Sequence, residues 1–331
     1  METDFHFDPT EKEAIRAASP RLTAGTVLRL EIVEGRDEAA LEPFCHRLIE
    51  LLPGLRIERR PPTEGDLPAL VPRERVRFLG APRGRELPVF LEILTGESVP
   101  PPPPPRPAAP ASPAPPAELE LFVSSGCTFC PQALRLLLPL VHGSPWVRLQ
   151  VIDAESHPAR FREREVRSVP TLLLDNRFRW VGAVNPEEVL RVASGRDPRE
   201  ISAASLERLL KEGEARRLAL WMVEHRSVFP ALRELLCREE WPVRLGAMVT
   251  VEEIQARDPD LAAAAIAPLA EQLASLPERV QGDLLYLLGE IASPRFLPPL
   301  ESFAAAAVTP ELAAAAREAA ERVRAKKNPG R

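Results

Sequence analysis

After its opening valine, the chain from Val99 to Ala117 is proline and alanine with a single serine and a single arginine, and this run constrains the fold more than any other feature. Each proline ring fixes φ and removes a backbone N–H, so the run can be neither a helix interior nor a central strand. It favours extended polyproline II and leaves little to bury. Folding must therefore occur on either side of it, and residues 99–117 read as a semi-rigid spacer of about 55 Å at about 3.1 Å per residue. A second reading makes Pro101 to Pro107 a ligand for a proline-recognising domain. A chain of 331 residues is too long for one ordinary core and predicts two or three domains of roughly 100 to 150 residues. The expected division is 1–98, the spacer 99–117, 118–198, and 199–328.

The charge balance, 43 basic against 48 acidic residues for a net −5, carries no basic block and gives nucleic acid no electrostatic footprint. Met1 to Thr10 is polar and acidic, without the pattern of an export signal. No apolar run approaches the roughly 18 residues of a membrane span. These features predict a soluble, cytoplasmic protein with no membrane or DNA partner. Lysine is scarce beside arginine, alanine and proline, which suggests a GC-rich bacterial genome. Four cysteines in so long a chain cannot be a stapling framework, so a closely spaced pair is catalytic or metal-binding.

That pair is Cys127-Thr128-Phe129-Cys130, followed by Pro131, between a strand-like run Glu118 to Val123 and a leucine-rich helical run Ala133 to Val141. Two thiols on the first turn of a helix can close a small disulfide, and the helix terminus favours the thiolate of the first. Further strands are expected at Val147 to Ile152, Thr171 to Leu174 and Phe178 to Val181. Asn185-Pro186-Glu187-Glu188 has the form of a capped helix start. The segment before the spacer follows the same order: strand Thr26 to Val33, an amphipathic helix through Leu41, Phe44, Cys45, Leu48 and Leu52, three short strands (Leu55 to Glu58, Ala69 to Val71, Arg75 to Leu79), and a helix Leu87 to Leu94. Where a thiol pair would stand, it has Glu34-Gly35-Arg36-Asp37. Cys45 lies on the apolar helical face and reads as a small core residue.

These residues resemble the thioredoxin fold. Glu118 to about Ala193 is similar to the glutaredoxin and protein disulfide oxidoreductase branch, through Phe129 at the third position of the pair motif and Pro131 after it. Val76-Arg77-Phe78-Leu79-Gly80-Ala81-Pro82-Arg83-Gly84-Arg85-Glu86 resembles the redox-inert first half of tandem thioredoxin folds in alkyl hydroperoxide reductase flavoproteins and protein disulfide oxidoreductases. The resemblance implies two α/β thioredoxin-like domains with central mixed sheets flanked by helices. It makes Cys127 the nucleophile and Cys130 the resolving thiol. It also makes Pro170 a cis-proline, so that Thr128, Phe129, Val169 and Pro170 meet an extended substrate segment, with Pro68 the silent counterpart of Pro170.

The chain departs from the family in placing Gly126 where thioredoxin has a tryptophan and Leu121 where it has a buried acid, which puts thioredoxin's proton route in doubt. Gly182-Ala183-Val184-Asn185 replaces the turn with which glutaredoxins hold glutathione. A zinc site would need two further ligands, but Cys45, Cys237 and the five histidines have no paired spacing.

From about Ser202 the pattern is helical throughout, with leucine and alanine at three- and four-residue spacings. Phe229-Pro230-Ala231-Leu232, Ala267-Pro268-Leu269 and Leu297-Pro298-Pro299-Leu300 are each expected to open a helix, with second helices at Val243 to Ile254, Val280 to Ile291 and Leu312 to Val323. Trp241 to Ala247 and Leu284 to Ile291 resemble HEAT repeats, which display a surface for protein partners. A plain helical bundle is the other reading, and Trp221 and Met222 read as core. No dinucleotide fingerprint or phosphate loop is present, so no cofactor is expected and electrons must come from a partner reductase. Together these expectations describe a thiol-disulfide oxidoreductase acting on protein disulfides or dithiols. The alternative is an interaction scaffold or redox sensor whose thiol pair is regulatory or idle.

Overall fold

The computed structural model describes residues 5–32, 41–62, 67–97 and 116–327. The tetrapeptide Glu34 to Asp37 and nearly all of the proline-rich run lie outside the described residues. The chain divides into two compact units, Met1–Arg196 and Asp197–Arg331.

The first unit is built on strands β1 (Val27–Glu31), β2 (Arg56–Arg60), β3 (Ala69–Arg73), β4 (Val76–Leu79), β5 (Ala117–Val123), β6 (Val147–Asp153), β7 (Thr171–Leu174) and β8 (Phe178–Val181). Its helices are α1 (Pro9–Ala18), α2 (Leu41–Leu51), α3 (Leu87–Thr95), α4 (Cys130–Gly143), α5 (Pro158–Glu163) and α6 (Pro186–Gly195). The two expected mixed sheets are present and joined edge to edge, in the order β2-β1-β3-β4-β6-β5-β7-β8. Within each half the first strand runs parallel to the second and antiparallel to the third, and the fourth pairs with the third. The join is a parallel pairing of β4 with β6, in register from Val76 opposite Leu149 to Leu79 opposite Ile152. Arg75 fastens it, donating from Nη1 to the carbonyls of Val141 and Ser144, each at 2.7 Å.

Burial explains why the halves stay joined. Ala69, Leu79, Phe122, Ile152 and Leu173 form one apolar cluster drawn from five strands across the join. Each fully buried side chain of leucine or phenylalanine size contributes about 1.5–3 kcal/mol. Phe122 also meets Phe161 edge to face, with ring centres 4.9 Å apart.

Helix α1 was not foreseen. It is a capping box: Asp8 Oδ1 accepts from Glu11 N at 2.8 Å, while Glu11 Oε2 accepts from Asp8 N at 3.0 Å. Ahead of it Phe7 packs edge to face on Phe44 of α2. Cys45 is core, and burial pushes its thiol up to about 12.

The second unit is all helical among its described residues: α7 (Ala203–Lys211), α8 (Ala215–Glu224), α9 (Pro230–Leu236), α10 (Trp241–Gln255), α11 (Pro259–Glu271), α12 (Glu278–Ile291), α13 (Leu297–Ala306) and α14 (Pro310–Lys327). Trp221 and Met222 are buried. One expected boundary is wrong: Ala267-Pro268-Leu269 does not open a helix, because Pro268 lies inside α11. The start is set earlier, where Asp258 Oδ1 accepts from Leu261 N and Pro259 takes the first helical position. An internal proline frees the carbonyl four residues back. Here Arg233 compensates, donating from Nη2 to the Ala264 carbonyl at 3.2 Å and from Nε to that of Ala265 at 3.0 Å.

Candidate functional site: a thiol pair between two halves

Strand β5 ends at Val123, and the chain turns before α4 begins at Cys130. The turn is closed by Cys127 N donating to the Ser124 carbonyl at 2.9 Å. The two thiols therefore do not share the first turn of the helix, as the sequence suggested. Cys127 precedes the N-cap residue Phe129, and its Sγ accepts the N–H of Cys130 at 3.2 Å. Leading helix N–H groups have no partner within the helix, so the sulfur takes the position of a cap. Both cysteines are free thiols.

Their environments differ. Cys127 is half-buried and donates from Sγ to the Val169 carbonyl at 3.7 Å. The Val169–Pro170 peptide is cis, the one cis bond among the described residues. Pro68 therefore matches Pro170 in preceding the third strand of its half, but not in geometry. Pro170 is buried, Val169 half-buried, Thr128 exposed, and Phe129 is 68% exposed. The sequence-chosen residues thus gather in one place: the pair and Thr128-Phe129 on the β5–α4 turn, with Val169-Pro170 beside Cys127. Cys130 is 0% exposed. Burial, followed by its hydrogen bond with Cys127, raises its pKa well above that of an ordinary thiol. At neutral pH Cys130 therefore keeps its proton.

The residue missed by sequence reasoning is Glu86. It stands just before α3, 2% exposed, in the half without the pair. Burial, reinforced by Asp153 and Glu155, pushes its carboxyl up to about 8. Its charge in turn raises the Cys130 thiol. Its Oε1 has no hydrogen-bond partner among the described residues. Asp153 Oδ2 accepts from Ser156 N and Oγ, each at 2.8 Å, and Glu155 Oε1 from Ser125 Oγ at 2.9 Å. Glycines let the loop before Glu86 approach so closely. Gly80 has φ +124° and Gly84 φ +50°, and a Cβ on either would stand 2.8 Å from Ser156 Oγ or from the Ser125 carbonyl oxygen, respectively. The signal was present in Gly80 to Glu86, which sequence reasoning matched for its fold and not for its terminal acid. Leu121, the position of the lost acid, is fully buried in β5.

No helix among the described residues is long and apolar enough to cross a membrane. No cluster of three or more histidine, cysteine, aspartate or glutamate side chains among them is arranged to hold a metal ion.

Residues 117–193 match the family model for a thioredoxin domain, and this region is a mixed sheet with flanking helices. Among solved structures, the chain is similar to the NTD N/C domain of the alkylhydroperoxide reductase AhpF from Enterococcus faecalis, with TM-score 0.45 and 19% identity over 57% of this chain and 100% of that one. It is also similar to a protein disulfide oxidoreductase from Aeropyrum pernix, with TM-score 0.43 and 17% identity over 58% of this chain and 94% of that one. No curated protein matches the chain.

Proposed function

We propose that the protein is a thiol-disulfide oxidoreductase that works on protein partners through the Cys127/Cys130 couple. The observation that carries this reading is the asymmetric pair itself, a half-buried sulfur receiving the backbone N–H of a fully buried partner thiol at 3.2 Å. In the reducing direction, the Cys127 thiolate attacks one sulfur of a substrate disulfide and forms a mixed disulfide, and the first substrate thiolate leaves. Cys130 then gives its proton to the Glu86 carboxylate and attacks Cys127 Sγ. The second substrate thiolate leaves, the substrate has gained two electrons, and the enzyme pair is a disulfide. A carboxyl poised near 8 suits both directions, as a base when ionised and as an acid toward a departing Cys130 thiolate.

Thr128, Phe129, Val169 and Pro170 form the face that meets the substrate chain. A partner reductase returns the electrons, and a reducing, cytoplasmic setting in a bacterium fits a pair held as dithiol. The helical unit is read as HEAT-like and as the element that selects the partner. The exposed Leu220, Trp241, Leu245 and Tyr286 support that role. The test is reduction of insulin disulfides in the presence of dithiothreitol. Turnover by the protein that is lost in Cys127→Ser supports the enzyme; equal background rates for both would instead leave an interaction scaffold or sensor with an idle pair.

A further inference from the structure

We propose that Glu11 of the N-terminal helix α1 is a positioning residue for the thiol pair, holding the loop that carries Glu86 against the turn that carries Cys127. The inference rests on the reading of Cys127 and Cys130 as a redox couple served by Glu86.

Glu11 is 4% exposed, and its two oxygens do different work. Oε2 completes the capping box by accepting from Asp8 N at 3.0 Å, which is all that helix α1 requires of it. Oε1 reaches out of the helix to a distant segment, accepting from Arg83 Nε at 2.9 Å and from Gly84 N at 2.8 Å. Arg83 is held further by donating from Nη2 to the His6 carbonyl at 3.0 Å and by lying over the Phe5 ring, 4.6 Å from its centre. On its other side the same loop is fastened to the redox half, with Arg85 N donating to the Ser125 carbonyl at 3.2 Å. Ser125 follows Ser124, whose carbonyl closes the Cys127 turn. Residues 83–86 are therefore clamped between α1 and the thiol-bearing turn, and Glu86 is the last residue of the clamp. The groups whose charge acts on Glu86 are Asp153, the last residue of β6, and Glu155 just beyond it, and Glu86 acts in turn on Cys130 of α4. Nothing on α1 acts on Glu86 directly, so Glu11 works through the loop.

A cap and a clamp separate experimentally, because Asp8 shares the capping box but makes no hydrogen bond or ion pair with the loop among the described residues. In Asp8→Ala the Asp8 side-chain half of the capping box is lost and the Oε1 bonds remain, whereas in Glu11→Ala the Glu11 half and the Oε1 bonds both go. Arg83→Ala removes the bonds from Nε to Glu11 and from Nη2 to the His6 carbonyl while leaving the capping box intact, so it serves if Glu11→Ala does not fold. The reduced proteins are mixed with dithionitrobenzoate. Attack by Cys127 releases a first thionitrobenzoate and leaves a mixed disulfide. Attack by Cys130 then releases a second and closes the Cys127–Cys130 disulfide. In the wild type the second phase should accelerate as pH rises through about 8. Glu11→Ala is expected to slow that phase roughly tenfold at neutral pH and to move its inflection down toward the ordinary carboxyl range, with the first phase unchanged. Asp8→Ala should keep the wild-type profile. A wild-type second phase in Glu11→Ala, or in Arg83→Ala where the Glu11 variant does not fold, or an equal change in Asp8→Ala, overturns the proposal. If the wild type shows no second phase, or one that Glu86→Gln leaves unaltered, the reading beneath it fails and the positioning role fails with it.

Discussion

The two halves of the eight-stranded sheet repeat one strand order and differ in what they bring to their common boundary. The half from β5 to α6 brings two thiols on the turn after its first strand. The half from β1 to α3 brings a buried carboxyl, Glu86, on the loop after its fourth strand. Its own cysteine, Cys45, is sealed in the core by α2. On the proposed reading the two halves divide the chemistry, with the nucleophile on one and the acid on the other. The β4–β6 pairing brings the copies together.

Replacing the thiol should have the largest effect on this division. Cys127→Ser should abolish insulin reduction, and retained turnover would remove the redox half's claim to the chemistry. Next comes Glu86→Gln, which keeps the shape and removes the base. It should slow closure of the Cys127–Cys130 disulfide by about 10²-fold and erase the acceleration near pH 8 in stopped-flow traces. The stability of the first unit should also report on Glu86. A carboxyl whose folded pKa lies above its unfolded value stabilises the fold below the unfolded pKa, and that stability is lost as pH rises through the folded one. Denaturant unfolding should therefore show stability falling from about pH 4.5 to about pH 8, by at most about 1.4 kcal/mol per pH unit. Glu86→Gln should flatten the slope. Gly84→Ala tests the boundary. A Cβ 2.8 Å from the Ser125 carbonyl oxygen forces backbone to move, and at a positive φ the expected cost is about 1–2 kcal/mol in unfolding free energy. The smallest effect belongs to Cys45, which burial holds near pKa 12. It should resist iodoacetamide at neutral pH in the folded protein, and Cys45→Ala should leave turnover unchanged.

Most of the first unit was legible because each element announces itself over a few residues. Alternation marks β5, Asn185 and Pro186 mark the start of α6, and Phe44, Cys45 and Leu48 mark the buried face of α2. The thiol pair was legible for the same reason, since its spacing is local. Two features were harder to read. Asp8 and Glu11 do spell a capping box, but they sit in a polar stretch whose distant anchors, Phe44 under Phe7 and Arg83 on Glu11, only the fold brings near. Glu86 acquires its meaning through burial against residues of the other half, a contact between segments separated by the proline-rich run. In the second unit, Pro268 reads as a helix start until it is seen inside α11, with Arg233 satisfying the Ala264 carbonyl it frees.

The most direct test is to incubate Cys130→Ser with insulin and map the product by mass spectrometry. The account predicts a dithiothreitol-sensitive adduct joining an insulin cysteine to Cys127, because attack proceeds and resolution cannot. An unmodified Cys127 after exposure to the disulfide would contradict it.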